Sequence, residues 1–298
     1  MNKFSIKDIE TITGIKSHTI RIWEQRYDFF KTKRTDTNIR YYDDDDLRLL
    51  LNVAALNDHG IKISEIAKMS MDEISHRVQE ISHQETNYAS YIKILINQAI
   101  SFNEKEFKKE LANCIKKLGL EQSVLHVIYP FLQNIGVLWQ TGTINPAQEH
   151  FASSLIKQKL IVAIDSIKAP SVHNKKKFLL FLPDGEFHEI ALLFGYYILK
   201  SHGHEVLYLG QSLSLNYVKD VFKSYQPDYL FSVLTNATPD DELENTIKKF
   251  SSYFANNQVL LAGGRIQEAE LTNYNNIHLL NEVPDLLSFL NELNFELV

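Results

Sequence analysis

The first 75 residues alternate helix-spaced hydrophobic positions with short polar turns. A short helix opens at Ser5, where serine can cap it, and ends at Gly14. A second helix over residues 17–27 turns Ile20 and Trp23 inward, and its outward positions include His18, Thr19 and Arg21. Two short helices joined by a glycine turn predict a helix-turn-helix.

The segment after this pair is basic, polar and too short for a capped helix. Residues 31–42 therefore predict a small β-wing that contains Arg34, Arg40 and Tyr41. Four consecutive aspartates, Asp43–Asp46, then open a leucine-rich helix that ends near His59 and Gly60, and their charge suits a helix N-terminus. A metal site is the alternative, but consecutive side chains point around a helix rather than towards one centre. A further short helix follows, and residues 76–83 are interpreted as a linker.

The middle of the chain has helical spacing only. Four segments show it, with breaks at residues 103–106 and 119–123; they cover 88–101, 104–118, 121–139 and 147–167. Four such segments predict a four-helix bundle.

From about residue 171, short apolar strands alternate with helical patterns. The predicted strands are 177–182, 205–209, 229–233, 258–262 and 276–280, and the predicted helices are 188–201, 214–224, 240–254 and 284–293. This alternation predicts a parallel, doubly wound sheet. Neither a Gly-x-Gly-x-x-Gly turn nor a phosphate-binding loop is found, so a nucleotide site is not expected.

A histidine follows the first of these strands. His188 lies on the loop between a strand's carboxyl end and a helix, which is where open α/β sheets bind ligands. Acidic residues stand on both sides of it, at Glu186 and Glu189. A carboxylate can hydrogen-bond one imidazole nitrogen and leave the other to bind a metal. A polar loop residue is the alternative. His202 and His204 flank a helix end and are not interpreted as a metal site.

Composition is that of a globular protein kept in a reducing compartment. Of 298 residues, 44% are hydrophobic and 23% charged, and the single cysteine, Cys114, excludes an internal disulfide framework. No apolar run approaches a membrane span or a signal peptide, which favours a cytoplasmic location without membrane contact. The net charge is −6, yet residues 1–42 hold nine basic and five acidic residues. This local excess indicates a phosphate-binding face, with a solvated charged surface as the alternative.

The N-terminal residues resemble the MerR family of winged-helix transcription regulators. The resemblance covers residues 3–70 and rests on Arg21-Ile-Trp23-Glu24-Gln-Arg26-Tyr27, Arg34 and Arg40-Tyr41-Tyr42. It implies that helix 17–27 enters the major groove of double-stranded operator DNA, with contacts from His18, Thr19, Arg21, Arg34, Arg40 and Tyr41. The chain departs from the family at Asp28-Phe29-Phe30, where a proline and basic residues are usual.

The C-terminal loops resemble the signature of cobalamin-binding domains. Three motifs carry the resemblance, and they occur in the order of the signature: Glu186-x-His188, Ser232-x-Leu234 and Gly263-Gly264. The resemblance implies that His188 is the lower cobalt ligand, that the serine meets the displaced nucleotide tail and that the glycines let the tail pack on backbone. Imidazole is a good ligand for such a metal, and glycine permits close backbone approach. The signature's glycine is replaced here by Ala191.

The helical segment resembles the cobalamin cap of B12-dependent photoreceptor repressors. Trp139 precedes Glu149-His150 with the spacing of that cap. The resemblance implies that Trp139 covers the upper face of the corrin, with Glu149 and His150 close to the upper ligand. In light-responsive members a histidine directly follows the tryptophan and becomes a second cobalt ligand after illumination. In this chain that position is Gln140.

Together these resemblances imply a non-enzymatic, cobalamin-controlled transcription regulator, a repressor. Its domains would be a winged helix over 1–75, a helical-bundle cap over 76–170 and a Rossmann-like, flavodoxin-like domain over 171–298. The ligand would be adenosylcobalamin or methylcobalamin, and a homo-oligomer, dimer or tetramer, would carry the switch. Two alternatives stay open: a regulator that has lost B12 and docks a protein partner, and a cobalamin-dependent methyltransferase module.

Overall fold

The structure is a computed structural model that describes residues 3–27, 33–35, 38–82, 88–168, 170–235, 240–264, 274–280 and 283–295. The chain divides into two compact units, Met1–Leu155 and Ile156–Val298. Along the described ranges, no helix has both the length and the apolar composition of a membrane span.

The first unit begins with a winged helix-turn-helix. Its helices are α1 (Ile6–Thr13), α2 (Ser17–Arg26), α3 (Asp44–Asp58), α4 (Ile63–Ile66) and α5 (Met71–Ser82), and its wing strands are β1 (Lys33–Arg34) and β2 (Arg40–Tyr41). Ser5 and Asp8 form a capping box at α1, which Gly14 ends with φ +73°. Glu10 accepts hydrogen bonds from the backbone N–H and hydroxyl of Ser17, so a side chain of α1 fixes the start of α2.

Four long helices follow in the same unit. They are α6 (Tyr88–Ile100), α7 (Glu104–Leu118), α9 (Tyr129–Gln140) and α10 (Pro146–Asp165); α10 continues past the division at residue 155. Short α8 (Leu120–Ser123) leads into α9 through a π-helical segment, Val124–Ile128. Phe107 of α7 makes edge contacts with Phe131 of α9 and Phe151 of α10, so aromatic rings join three of the helices. The predicted four-helix region is confirmed.

The winged head packs directly on these helices. Helix α3 contacts α1, α5 and α6, and α1 also contacts α9. Leu47, Leu50, Leu51 and Val53 of α3 are all almost fully buried. An ion pair joins Asp58 at the end of α3 to Lys93 of α6. Head and bundle therefore share apolar contacts and an ion pair within one compact unit.

The second unit is built on a five-stranded sheet in which every pairing is parallel. The strands are β3 (Lys177–Pro183), β4 (Glu205–Leu213), β5 (Tyr229–Val233), β6 (Gln258–Ala262) and β7 (Ile277–Leu280), ordered β4-β3-β5-β6-β7. Its helices are α11 (Glu189–Ser201), α12 (Leu215–Tyr225), α13 (Asp240–Tyr253) and α14 (Val283–Phe295). This flavodoxin-like strand order confirms the predicted doubly wound α/β fold.

Alternating side chains of the sheet supply two hydrophobic layers. Leu179 and Phe181 of β3 belong to a buried cluster with Val218 of α12 and Phe250 of α13. On the opposite side α11 packs on β3 and β4, and α14 packs on α11 and β7. Successive strand residues point to opposite faces of the sheet, and helices cover both faces. Strand β3 is therefore apolar throughout, and its sequence is one continuous hydrophobic run.

Several local predictions differ from the structure. The predicted break at 119–123 is wrong, because helix begins again at Leu120, directly after Gly119 with its positive φ. Residues 76–82 of the segment interpreted as a linker belong to α5, in which Ile74 and Val78 are buried, and residue 83 lies outside the described residues. Strand β4 is longer than 205–209 because register shifts and Gly210, at φ +83°, bend it onward to Leu213. Residue 75, the predicted domain boundary, lies inside α5.

Stability of the second unit is expected to fall in mild acid because of His204. This side chain is buried beside the Phe178 ring, and burial together with the charges of His202 and Lys176 lowers its pKa from 6.5 to about 4. The unfolded chain therefore takes up a proton below about pH 6.5 while the folded state stays neutral, and stability declines until about pH 4. The loss is on the order of 3 kcal/mol.

Thermal unfolding of His204→Gln between pH 7 and pH 4 checks this expectation. The variant should show a shallower fall of Tm with decreasing pH than the wild type. His278→Gln, which alters an exposed histidine of the same unit, should retain the wild-type slope. Equal slopes for all three proteins would contradict the assignment.

Candidate functional site

The loop between β3 and α11 presents His188 at the carboxyl edge of the sheet. The imidazole is 66% exposed, and its Nδ1 lies 2.7 Å from Oε1 of Glu186, whose side chain is almost fully buried. The backbone N–H of His188 donates to the same oxygen at 2.9 Å. With Nδ1 directed at the carboxylate, Nε2 is the nitrogen suited to a metal.

Glu186 is held as an anion by a set of converging donors. Burial raises its pKa, but hydrogen bonds from the side chains and backbones of His188 and Thr235 outweigh burial and lower the pKa to about 2. Thr235 donates to Oε2 through its backbone N–H at 2.9 Å and its hydroxyl at 2.7 Å. An ionised carboxylate in this place fixes the imidazole tautomer and increases the basicity of the outer nitrogen.

Thr235 completes the arrangement from the neighbouring strand. Its hydroxyl oxygen lies 2.9 Å from Nδ1 of His188, so one side chain reaches both the acid and the imidazole. Strands β3 and β5 are adjacent, which brings the loops after them together across 47 residues of sequence. The sequence prediction did not include Thr235, although it directly follows the Ser232-x-Leu234 motif.

Ser232 and Leu234 are placed beneath this loop. Ser232 is fully buried, and its hydroxyl donates to the carbonyl of Phe181 at 2.8 Å. Leu234 is also fully buried, and its backbone N–H donates to Ala262. In this conformation both residues join β5 to its neighbours, and the predicted contact of Ser232 with a nucleotide tail stays a prediction.

The two glycines after β6 differ in what surrounds them. Gly263 has φ +130°, and a Cβ there would lie 2.0 Å from the carbonyl oxygen of Leu234. Among the residues that the structure describes, none has an atom within 4 Å of a Cβ placed at Gly264. Gly263 therefore allows two backbone segments to come into contact beside Thr235.

The end of strand β4 supports the histidine loop from the side opposite Thr235. The backbone N–H of Ser212, at the end of β4, donates to the carbonyl of Glu186 at 3.1 Å. The backbone N–H of Gly185 donates to the Ser212 hydroxyl at 3.2 Å. Ser212 has φ +51°, a conformation uncommon for serine, and the sequence offered no signal for it.

Trp139, Glu149 and His150 lie in the first unit. Trp139 is 51% exposed near the end of α9, and the nearby Val137 is also exposed. On the first turns of α10, Nδ1 of His150 lies 2.7 Å from Oε2 of Glu149. An exposed tryptophan on an ordered helix end gives an apolar ring that is available for contact with a planar ligand.

These features fit a corrinoid better than a metal held by protein ligands alone. Among the described residues no group of three or more His, Cys, Asp or Glu side chains is arranged to hold a metal ion. A macrocycle supplies four ligands itself and needs one from the protein, which an exposed, carboxylate-oriented imidazole provides. The exposed imidazole of His188 is therefore suited to the metal of such a macrocycle.

The head presents a polar face on α2. Ile20 and Trp23 are buried, whereas His18 and Arg21 are exposed and Thr19 is half-buried. The predicted orientation of this helix is confirmed. A helix whose cations point outward from a helix-turn-helix can reach the major groove.

The wing brings the other predicted DNA residues next to one another. Strands β1 and β2 are antiparallel, with Arg34 opposite Arg40, and both arginines are exposed. Arg34 donates to the backbone and side-chain oxygens of Asn38, and the Lys3 ammonium lies 4.9 Å from the centre of the Tyr41 ring. Residues 28–32 and 36–37, including the Asp28-Phe29-Phe30 departure, lie outside the described residues.

Two family matches agree with these two regions. Residues 4–72 match the MerR HTH family of regulatory proteins, and residues 91–163 match a B12 binding domain. The first match covers the winged head, and the second covers the helices from α6 to α10.

Full-length relatives and a solved structure extend the comparison. The HTH-type transcriptional repressor CarH of Myxococcus xanthus is 24% identical over 263 residues, 85% of this chain and 86% of the relative. The repressor CarA of the same organism is 25% identical, over 82% of this chain and 80% of the relative. A monomethylamine corrinoid protein of Methanosarcina barkeri shares the fold, with TM-score 0.53 and 11% identity over 67% of this chain and 96% of that one.

Proposed function

We propose that this chain, a DNA-binding transcription regulator with a MerR-type head and a B12-binding domain, is a repressor whose DNA binding is controlled by bound cobalamin. The observation that carries the proposal is the imidazole of His188, exposed at the sheet edge and oriented by a buried, ionised Glu186. The domain matches and the two repressor relatives support it. They support a regulator rather than an enzyme, which leaves the methyltransferase alternative without support.

The cofactor-binding residues are assigned by the chemistry each one offers. His188 supplies the lower cobalt ligand, and Glu186 with Thr235 fixes its tautomer and direction. For the nucleotide tail we propose contacts with Ser232, Leu234, Gly263 and Gly264, and for the upper side of the corrin we propose contacts with Trp139, Glu149 and His150. When bound, the corrinoid supplies a cobalt–carbon bond that green light can break. The form we propose is adenosylcobalamin, with methylcobalamin as the second candidate.

The DNA-binding residues are proposed on the same basis. Helix α2 contacts the major groove through Arg21, His18 and Thr19. The wing contacts the DNA backbone through Arg34, Arg40 and Tyr41. Head and bundle pack together through α3 and α6, so a ligand held by the bundle shares a compact unit with the DNA-binding residues. A change in oligomeric state on ligand binding would alter the number of heads engaged at once, and avidity would convert that number into affinity.

An absorbance and sizing experiment tests the function. Purified protein is incubated with adenosylcobalamin in the dark, desalted, and measured by absorbance, size exclusion and binding to a duplex selected from random sequence; all three are repeated after green light. We expect retained corrin with the spectrum of histidine-ligated cobalt, and tighter DNA binding with cofactor than without it. Loss of that difference after illumination would add a light response, despite Gln140.

Two outcomes would count against the proposal. Retained corrin with no change in DNA affinity would indicate a B12 carrier with an independent DNA-binding head. Absence of retained corrin would leave a regulator that docks another effector, the alternative to which Ala191 and Gln140 give weight.

A further inference from the structure

The first wing strand carries a lysine that points towards α3. Lys33 stands next to Arg34 in β1, and its partner across the wing is Tyr41. The Lys33 ammonium contacts the carboxylate of Asp43 and lies 2.9 Å from Oδ2 of Asp46. One wing residue is thus joined to two acids at the start of α3.

Those two acids are buried and already fix the N-terminus of α3. Asp43 caps the helix by accepting from the backbone N–H of Asp46, and Asp46 accepts from the backbone N–H of Asp43 in return. Their side chains are 5% and 11% exposed, whereas Asp45, another acid of the same turn, is 66% exposed. Two ionised carboxylates buried this close repel each other, and a cation that contacts both offsets the repulsion.

The charges of the three groups fit this arrangement. Burial lowers the pKa of Lys33, but hydrogen bonds and attraction to both aspartates outweigh it and raise the pKa, so the lysine stays charged. Burial raises the pKa of Asp43 and Asp46 alike. Hydrogen bonds leave Asp43 with a lowered pKa, whereas repulsion from Asp43 helps to keep that of Asp46 raised.

The second wing strand has its own anchor. Tyr42 directly follows β2, is fully buried, and exchanges two backbone hydrogen bonds with Phe4 at 2.8 and 2.9 Å. Lys33 is the corresponding anchor for β1. With one attachment on each strand, Arg34 and Arg40 are held at a defined place on the surface of the head.

We propose that Lys33 is a positioning residue for DNA binding: by joining β1 to Asp43 and Asp46, it sets where the wing arginines meet the phosphate backbone. The inference rests on the proposed role of the wing. The rival is that Lys33, with 42% of its side chain exposed, is itself a phosphate contact and that its aspartate neighbours merely weaken it.

The substitution Asp46→Asn separates the two interpretations, because they predict changes of DNA affinity in opposite directions. Removing a carboxylate from a DNA-binding surface lowers its repulsion of the phosphates and frees the lysine that was paired with that carboxylate. On electrostatic grounds alone, both effects strengthen DNA binding. If Lys33 positions the wing, Asp46→Asn instead weakens binding, because Lys33 loses one of its two anchors. Asp45→Asn is the matched control, since it removes the same charge from an exposed acid of the same helical turn, paired with Arg48.

The experiment measures affinity for one duplex of about 30 base pairs, selected from random sequence by the wild type, across a salt series. We expect Lys33→Met and Asp46→Asn each to weaken binding at least about tenfold, and to reduce the slope of log affinity against log salt by about 0.9 for each lost phosphate contact. Asp45→Asn should bind as tightly as wild type or more tightly, and Lys33→Arg should recover most of the affinity.

Binding by Asp46→Asn equal to that of Asp45→Asn would overturn the proposal. Should Asp46→Asn be unfolded by circular dichroism, Asp43→Asn takes its place, because asparagine also caps helices and Lys33 again loses one anchor. Weaker DNA binding by Asp43→Asn supports positioning, and binding equal to that of Asp45→Asn overturns it. Failure of the wild type to select any duplex, or full binding by Arg34→Ala and Arg40→Ala, would instead count against the proposed function of the head.

Discussion

His188→Ala is expected to abolish retention of cobalamin after desalting, with affinity reduced by more than about a hundredfold. Alanine removes the only imidazole on this loop, and cobalt then lacks its protein ligand. The second unit should stay folded, because Glu186 keeps the donors from Thr235 and from the backbone of residue 188. Absorbance after desalting and Tm without cofactor measure the two effects separately.

The control for this variant is a histidine of the same sheet outside the candidate site. His278 lies on β7, exposed, with its Nε2 2.6 Å from Oε1 of Gln258. His278→Ala should retain corrin at the wild-type level. If His188→Ala also retained it with an unchanged spectrum, the cobalt would have another ligand and the assignment of this loop would be wrong.

Gly263→Ala is expected to destabilise the second unit by at least about 3 kcal/mol. The added methyl group would lie 2.0 Å from the carbonyl oxygen of Leu234, and φ +130° is strained for any residue with a Cβ. Relief requires β6 and the segment after β5 to separate. Because Thr235 follows Leu234, that movement should also withdraw the Thr235 hydrogen bonds from Glu186 and weaken cofactor retention.

Gly264→Ala supplies the matched comparison. The same methyl group added one residue later lies more than 4 Å from every atom of the described part of the chain that could crowd it. Urea unfolding should therefore show little change in stability for this variant. Any loss of cobalamin affinity in Gly264→Ala, at unchanged stability, would locate the nucleotide tail against this residue. Similar stability losses in both variants would contradict the steric argument.

The parts of the fold that depend on local chemistry were predictable from the sequence. Ser5 and Gly14 mark the two ends of α1 with a capping box and a positive φ, and the structure has both. The apolar run of β3 indicated a strand covered on two faces. His188 and Glu186 were found because they stand two residues apart on one loop, so their proximity is a property of the local sequence.

The parts that were missed depend on contacts between distant segments. Thr235 reaches His188 only because β3 and β5 are neighbours in the sheet, which alternation alone does not specify. Lys33 looks like an ordinary basic wing residue until α3 brings buried acids to it. Helix α5 has few apolar positions, but Ser70 and Glu73 exchange capping hydrogen bonds, a signal that the sequence did contain.

The packing of the head on the bundle has a consequence for how the first unit unfolds. Helix α3 is buried on several sides at once, by α1 in the head and by α6 in the bundle, and α5 covers it further. A fragment that ends at residue 75 would divide α5 and expose leucines of α3 to water. We therefore expect residues 1–155 to melt in a single cooperative transition, and the isolated head to be aggregation-prone even where its DNA-binding residues are intact.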